Sequence, residues 1–417
     1  MDQICRFLDN SPSLYHAVEN LRSAFTAAGY TQLSEKEDWC LTAGGKYCLV
    51  RGGSAFVAFQ VPEDPAGFAV AAAHSDRPCL KIKENAALNG AYTRLSVETY
   101  GGLIMSTWLD RPLSVAGRVF VETESGVECR LVNIDRDIAL IPNVAIHMNR
   151  EVNSGYKWNP ATDLLPLVGG KDAGQKLSAL LEEAAGGKIV SSDLYLYVRE
   201  NAREWGLDKE FISAPALDDL GCVWAAAEGM LKAQASKTIP VLCVFDSEEV
   251  GSCSAQGADS TLLTDVLGRI CAKLGLDEKR MYAGSFLLSA DNAHALHPNH
   301  PEYADANNAP VMNGGIVLKY NANLSYTTDG FSAALVRHFC KQAGICVQTY
   351  YNRADLRGGS TLGHISTGHF SVPSADIGLA QLAMHSSYET AGAKDARDMA
   401  ALMQVYFTGY HPEIVRN

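Results

Sequence analysis

Residues 239–251 read Ile-Pro-Val-Leu-Cys-Val-Phe-Asp-Ser-Glu-Glu-Val-Gly, an apolar run that stops at two adjacent carboxylates, Glu248 and Glu249. Its length and its β-branched residues predict a buried parallel strand. Charge at the C-terminal end of such a strand is where open α/β sheets place their ligands. Two neighbouring carboxylates resist ionising together unless a cation or a shared proton is present. The same ending recurs elsewhere. Phe-Ala-Val-Ala-Ala-Ala at 68–73 ends at His74-Ser-Asp76, and Ser-Phe-Leu-Leu-Ser-Ala at 285–290 ends at Asp291. This pattern predicts an α/β fold in which one sheet edge gathers groups that bind metal.

At 417 residues the chain exceeds what one ordinary core fills, so two domains are expected. With 47% hydrophobic and 20% charged residues it reads as globular and soluble. A formal charge of −12 argues against nucleic acid or anionic membranes as partners. The first residues show neither a basic nor an apolar leader, and no apolar run approaches the ~18 residues of a membrane span. The 11 cysteines are scattered without a Cys-x-x-Cys pair, which predicts reduced thiols and a cytoplasmic location.

Along the chain, Ile4, Phe7 and Leu8 predict a short amphipathic helix, broken by Asn10-Ser-Pro-Ser13. Ser13 is expected to cap a second helix carrying Leu14, Ala17, Leu21 and Phe25. From 88 to 203 the texture changes to polar–apolar alternation, as in 94–100, 117–123 and 128–133, which predicts half-exposed antiparallel strands. The expected architecture is a mixed-sheet domain with helices on both faces, built from 1–87 and 204–417, interrupted by a β-rich domain at 88–203. An alanine-rich helix is expected from Gly221 and a glycine-rich turn at 357–360.

His74, Asp218, Glu249, Asp291 and His385 each border an apolar stretch. Two imidazoles and three carboxylates suit a pair of Zn²⁺, Co²⁺ or Mn²⁺ ions, one carboxylate bridging. Such ions lie ~3.5–4 Å apart and activate a water between them. Asp76 is placed to fix the tautomer of His74, and Glu248 to act as general base. Taken singly, each residue has a plainer reading. Asp218-Asp219 would cap a helix, the paired glutamates would be solvated, and His16, His338 and His411 are ordinary surface or core histidines.

Five segments closely resemble the M18 metalloaminopeptidases, the aspartyl aminopeptidase family. They are Ala73-His-Ser-Asp-Arg-Pro78, Leu217-Asp-Asp-Leu220, Asp246-Ser-Glu-Glu-Val-Gly-Ser252, Ser289-Ala-Asp-Asn-Ala-His-Ala-Leu-His-Pro-Asn299 and Gln381-Leu-Ala-Met-His-Ser386. The resemblance implies that His74, Asp218 and Asp291 hold one metal, and that Asp218 bridges to a second held by Glu249 and His385. It implies Glu248 as catalytic base and Asp76 as support for His74. His294, Lys319 and Tyr326 are implied to meet the substrate, and His147 to serve a neighbouring subunit's site. The inserted domain would be a dimerisation domain, with dimers building a tetrahedral dodecamer. The family more often has Leu-Asp-Asn at 217–219, which leaves Asp219 as a competitor to Asp218. Asn-Leu-Ser-Tyr at 323–326 stands in place of a more usual Asn-Gln-Arg-Tyr.

The implied activity is removal of the N-terminal residue from peptides, with acidic first residues preferred. Lys319 would pair with the acidic side chain. Two rivals stand beside it. One is another co-catalytic metallohydrolase, a deacylase or related tetrahedral aminopeptidase. The other is a self-assembling scaffold or cargo-binding shell without peptidase activity, which would have no need of Glu248.

Overall fold

The structure of the chain, a computed structural model, describes residues 3–356 and 358–414. Arg357, the first residue of the expected glycine-rich turn, lies outside the described residues. Among the described residues the architecture is mixed α/β, with three sheets of nine, six and five strands. The nine-stranded sheet has Ile239–Phe245, Phe68–His74, Phe286–Ala290 and Ser374–Gly378 as neighbours at its centre. These four run parallel to one another, and antiparallel pairing begins at Ala55–Gln60 on one side and Ile316–Tyr320 on the other. Their ends therefore share one edge, which brings His74, the 246–249 segment and Asp291 together.

The two-residue period of a strand divides its side chains between two cores. In Phe68–His74, Ala69, Ala71 and Ala73 join one buried cluster, while Phe68, Val70 and Ala72 join the other. Helices Leu14–Ala27, Leu217–Lys232, Gly330–Ala343 and Ala393–Gly409 cover the first face, and Leu262–Leu274 and Leu362–His369 the second. Both faces are covered, so the strands read as unbroken apolar runs with no polar alternation. The alanine-rich helix packs closely on Ala393–Gly409. A Cβ on Gly229 would lie 2.4 Å from Met403 Cβ.

The alternating segments form the six-stranded sheet, in which the strands Tyr92–Tyr100, Leu113–Thr123, Gly126–Asn133 and Ile189–Val198 pair antiparallel. Its first strand, Cys79–Leu88, starts ahead of residue 88, so this sheet begins within a few residues of His74 and Asp76. Ser13 occupies the expected cap position without capping, because its hydroxyl is bonded to His16 Nδ1 at 2.8 Å. Cys40, Cys129, Cys253 and Cys346 are exposed free thiols. Among the described residues, no helix is long and apolar enough to cross a membrane.

Candidate metal centre and active site

His74 is the last residue of its strand and is buried. Its Nδ1 faces Asp76, 3.1 Å from the backbone carbonyl and 3.3 Å from Oδ1. A carbonyl accepts only, so Nδ1 carries the proton and Nε2 is left to face Asp218 Oδ1 at 3.7 Å. His385 is anchored alike. Its Nδ1 donates to the Gly102 carbonyl at 3.0 Å, leaving Nε2 at 3.3 Å from Glu249 Oε2 and 3.8 Å from Asp218 Oδ2. Asp218 thus turns one oxygen to each histidine. Two triads, His74–Asp218–Asp291 and Asp218–Glu249–His385, share it, with the ligand atoms of each within 4.8 Å of one another.

Local backbone directs these side chains. Ala216, Ser247 and His385 have φ values of +60°, +65° and +67°, left-handed conformations that cost energy for non-glycine residues and cluster at functional sites. Asp76 receives the backbone amides of Glu248 and Glu249, each at 3.1 Å, and the Tyr100 hydroxyl at 2.8 Å. Asp219, the competitor for ligand duty, belongs to neither triad, and its Oδ2 accepts the backbone amide of His74 at 3.2 Å.

The donor set fits divalent cations. Asp218 Oδ1 and Glu249 Oε1 are buried with no hydrogen-bond partner, a costly state for anionic oxygens unless a positive charge faces them. Burial, with repulsion from Asp291, Asp76 and Asp218, pushes Glu248 up to about 8 against the pull of His74. Burial likewise raises Asp291 to about 6 despite Lys319. Glu249 stands well above the carboxylate range through burial and the nearby Asp218. Burial alone would lower His74, but Asp218 and Asp76 hold it well above its ordinary value. This is an electrostatic demand for cations, met by imidazole and carboxylate ligands of the kind zinc takes.

The remaining expected residues sit at different distances from this cluster. His294 lines a neighbouring cavity and lies near enough to Asp218, Lys319 and His385 to feel their charge. Lys319 is buried. Its ammonium donates to the carbonyls of Asp291 at 2.8 Å and Asn292 at 3.2 Å and faces Asp291 Oδ2 at 3.5 Å. Tyr326 is buried beneath that ammonium, its ring centre 5.2 Å from Nζ. His147 is exposed and, among the described residues, no ion pair or hydrogen bond ties it to the cluster.

Sequence reading missed Tyr100, Asn292, Gln381 and Glu389, which hold the cluster's surroundings. Glu389 is buried and accepts the backbone amides of both Asp218 and His385. Nothing in the sequence marks it, since it is one acidic residue in the short strand Glu389–Gly392.

The family model described as aminopeptidase I zinc metalloprotease (M18) matches residues 7–407. A probable M18 family aminopeptidase 2 of Clostridium novyi is 41% identical over 413 residues, covering 94% of this chain and 95% of that protein. Its counterpart in Ectopseudomonas mendocina is 36% identical, covering 98% and 97%. Among solved structures, the fold is similar to Ape4 in its complex with Nbr1, with a TM-score of 0.93 at 35% identity over 97% of this chain and 84% of that one. It is also similar to the S. cerevisiae mApe1 dodecamer, with a TM-score of 0.87 at 26% identity over 98% and 96%. Carried by this match across almost the whole chain, the protein belongs to the M18 family of zinc metalloproteases, aminopeptidases that hydrolyse peptide bonds.

Proposed function

We propose that the cluster is a dinuclear centre that removes the N-terminal residue of peptides. The observation that carries this reading is Asp218, whose two oxygens face His74 and His385 and so belong to both triads. His74, Asp218 and Asp291 would hold one ion, and Asp218, Glu249 and His385 the other. Zinc is the natural occupant, with cobalt or manganese as substitutes for the same donors. When bound, such ions polarise the scissile carbonyl and ease deprotonation of a water.

The chain's own groups do the rest. Glu248, not needed in either triad that contains Asp218, takes the proton from the attacking water and delivers it to the leaving amine. Asp76 acts through others, fixing the His74 tautomer and the peptide that carries both glutamates. The free α-amine of the substrate pairs with the carboxylate cluster, which restricts cleavage to the first residue. Acidic first residues are the preferred class, supported by a cavity beside His294 with no carboxylate among its described lining residues.

The unit built around the six-stranded sheet serves as a dimerisation domain, and dimers assemble further into a tetrahedral dodecamer. Val144, Ile146 and Met148, with 49%, 46% and 78% of their surfaces exposed, flank His147 as an apolar surface suited to burial against another copy. His147 of the partner subunit would then stabilise the oxyanion. A cytoplasmic setting fits the free thiols.

The test is metal stoichiometry combined with release of amino acids from short peptides, with and without chelator. Two bound ions per chain and chelator-sensitive release of the first residue are expected. Bound metal without release from any peptide would leave the scaffold reading in its place.

A further inference from the structure

The strand Tyr92–Tyr100 belongs to the six-stranded sheet, yet its last residue reaches the cluster at the edge of the nine-stranded one. Its neighbour in the ladder, Cys79–Leu88, starts within a few residues of Asp76, and Tyr100 is paired with Cys79. That register sets the Tyr100 side chain beside Asp76, and the hydroxyl donates to Asp76 Oδ2 at 2.8 Å.

The oxygens of Asp76 are fully engaged. Oδ1 accepts the amide of Glu248 and Oδ2 that of Glu249, each at 3.1 Å, while His74 Nδ1 lies 3.3 Å from Oδ1. Each oxygen thus meets one glutamate peptide and one further donor, which satisfies a carboxylate. Asp76 is buried, so losing the phenol would leave Oδ2 one donor short in a place closed to bulk water.

The residues after Tyr100 close on the other half of the cluster. Gly101 has a φ of +69°, and a Cβ there would lie 3.1 Å from Glu249 Cβ, so glycine permits this approach. The Gly102 carbonyl accepts from His385 Nδ1 at 3.0 Å, and the Ile104 amide donates to the His385 carbonyl at 2.9 Å. Further on, the Thr107 hydroxyl accepts the Ser387 amide at 2.9 Å and the Thr107 carbonyl accepts the Ser387 hydroxyl at 2.6 Å. The 100–107 segment therefore grips the support of His74, the glutamate pair and His385, although none of its residues belongs to either triad.

We propose that Tyr100 is a positioning residue for this site, and that the turn it opens, Tyr100-Gly101-Gly102, sets the geometry of the metal-facing groups from the six-stranded sheet. Tyr100 acts through Asp76, on the tautomer of His74 and on the peptides from which Glu248 and Glu249 project. Gly101 admits Glu249, and Gly102 fixes the tautomer of His385. This rests on the dinuclear aminopeptidase reading and adds to it a dependence on a sheet that supplies none of the expected ligands.

Y100F removes one hydroxyl and keeps the ring that packs edge-on against Tyr195. The full chain is studied with zinc and, for spectroscopy, with cobalt in its place. Zinc affinity from chelator competition is expected to fall about 10–100-fold, the usual effect of losing a group that orients ligands. The visible absorption bands of the cobalt form, which report ligand geometry, are expected to shift from their wild-type positions. Turnover of a short peptide per bound zinc is expected to fall about 10–100-fold through kcat, with KM little changed. A folded Y100F with wild-type zinc affinity and a wild-type cobalt spectrum would overturn the proposal, whatever its melting temperature. If Y100F does not fold, G101A decides by the same two readings: weaker zinc binding and displaced bands support the proposal, and wild-type values overturn it. Neither reading needs turnover, so a wild-type protein that cleaves no peptide would count against the peptidase reading and leave this test standing.

Discussion

The backbone amide of His385 donates to Glu389 Oε1 at 2.8 Å, and the other oxygen of that carboxylate takes the amide of Asp218 at 2.9 Å. One buried side chain thereby ties together two segments, far apart in sequence, that face each other across the second triad. Glu389→Gln would set an NH₂ group against one of these N–H donors. Zinc affinity is expected to fall about 10–100-fold, the usual consequence of losing a group that orients ligands. Stability should fall by about 1–3 kcal/mol for an unsatisfied buried group. Competition titration with a zinc chelator and urea denaturation measure the two, and unchanged zinc affinity would remove Glu389 from the site.

Glu248→Gln keeps the shape of the side chain and removes its basicity. Turnover is expected to fall by about 10²–10⁴-fold, the typical contribution of a general base. Metal content measured by atomic spectroscopy should stay at the wild-type level. Retained turnover would reassign the proton transfer.

Removing metal leaves the facing carboxylates repelling one another. Zinc at a hundredfold excess over its Kd is expected to stabilise the chain by about 2.7 kcal/mol relative to the chelated protein. Thermal denaturation with chelator and after zinc is restored checks this. Identical midpoints would argue against a cation site at the sheet edge.

His16 gives a pH dependence away from the cluster. Burial, then the charge of Arg77, lowers its pKa from 6.5 to about 4. Between these values the unfolded chain binds a proton that the folded one does not, so stability rises with pH across that window and is lost on acidification through it. Urea midpoints at pH 4.5 and 7 should differ more for wild type than for His16→Gln. Equal differences would show that the histidine titrates alike in both states.

Gly229→Ala tests the helix crossing. Alanine gains about 1 kcal/mol in helix propensity, but its Cβ would sit 2.4 Å from Met403 Cβ. Overpacking of this kind costs about 1–3 kcal/mol, so net destabilisation is expected. A stabilised variant would mean that the two helices separate easily.

Much of the site was legible because it lies at strand ends. The apolar runs before His74 and Asp291 became neighbouring parallel strands, and the expected ligands converge. Other parts were not legible. Ser13 reads as a helix cap but pairs with His16, because a local hydroxyl has more than one partner within reach. Lys319 donates to two carbonyls on the adjoining 291–292 segment, a pairing that no local pattern foretells. Glu389 and Gln381 carry no local signal, since their importance lies wholly in partners distant in sequence.

By itself the sequence determined that several buried strands end in groups able to bind metal, because hydrophobic runs and their charged endings are local properties of the chain. Only the tertiary structure decided which of two neighbours faces the cluster, Asp218 or Asp219. That choice depends on backbone direction, here set by the left-handed residue Ala216 and by hydrogen bonds to Glu389. Adjacent side chains leave a backbone in different directions, and composition does not encode which one meets the histidines.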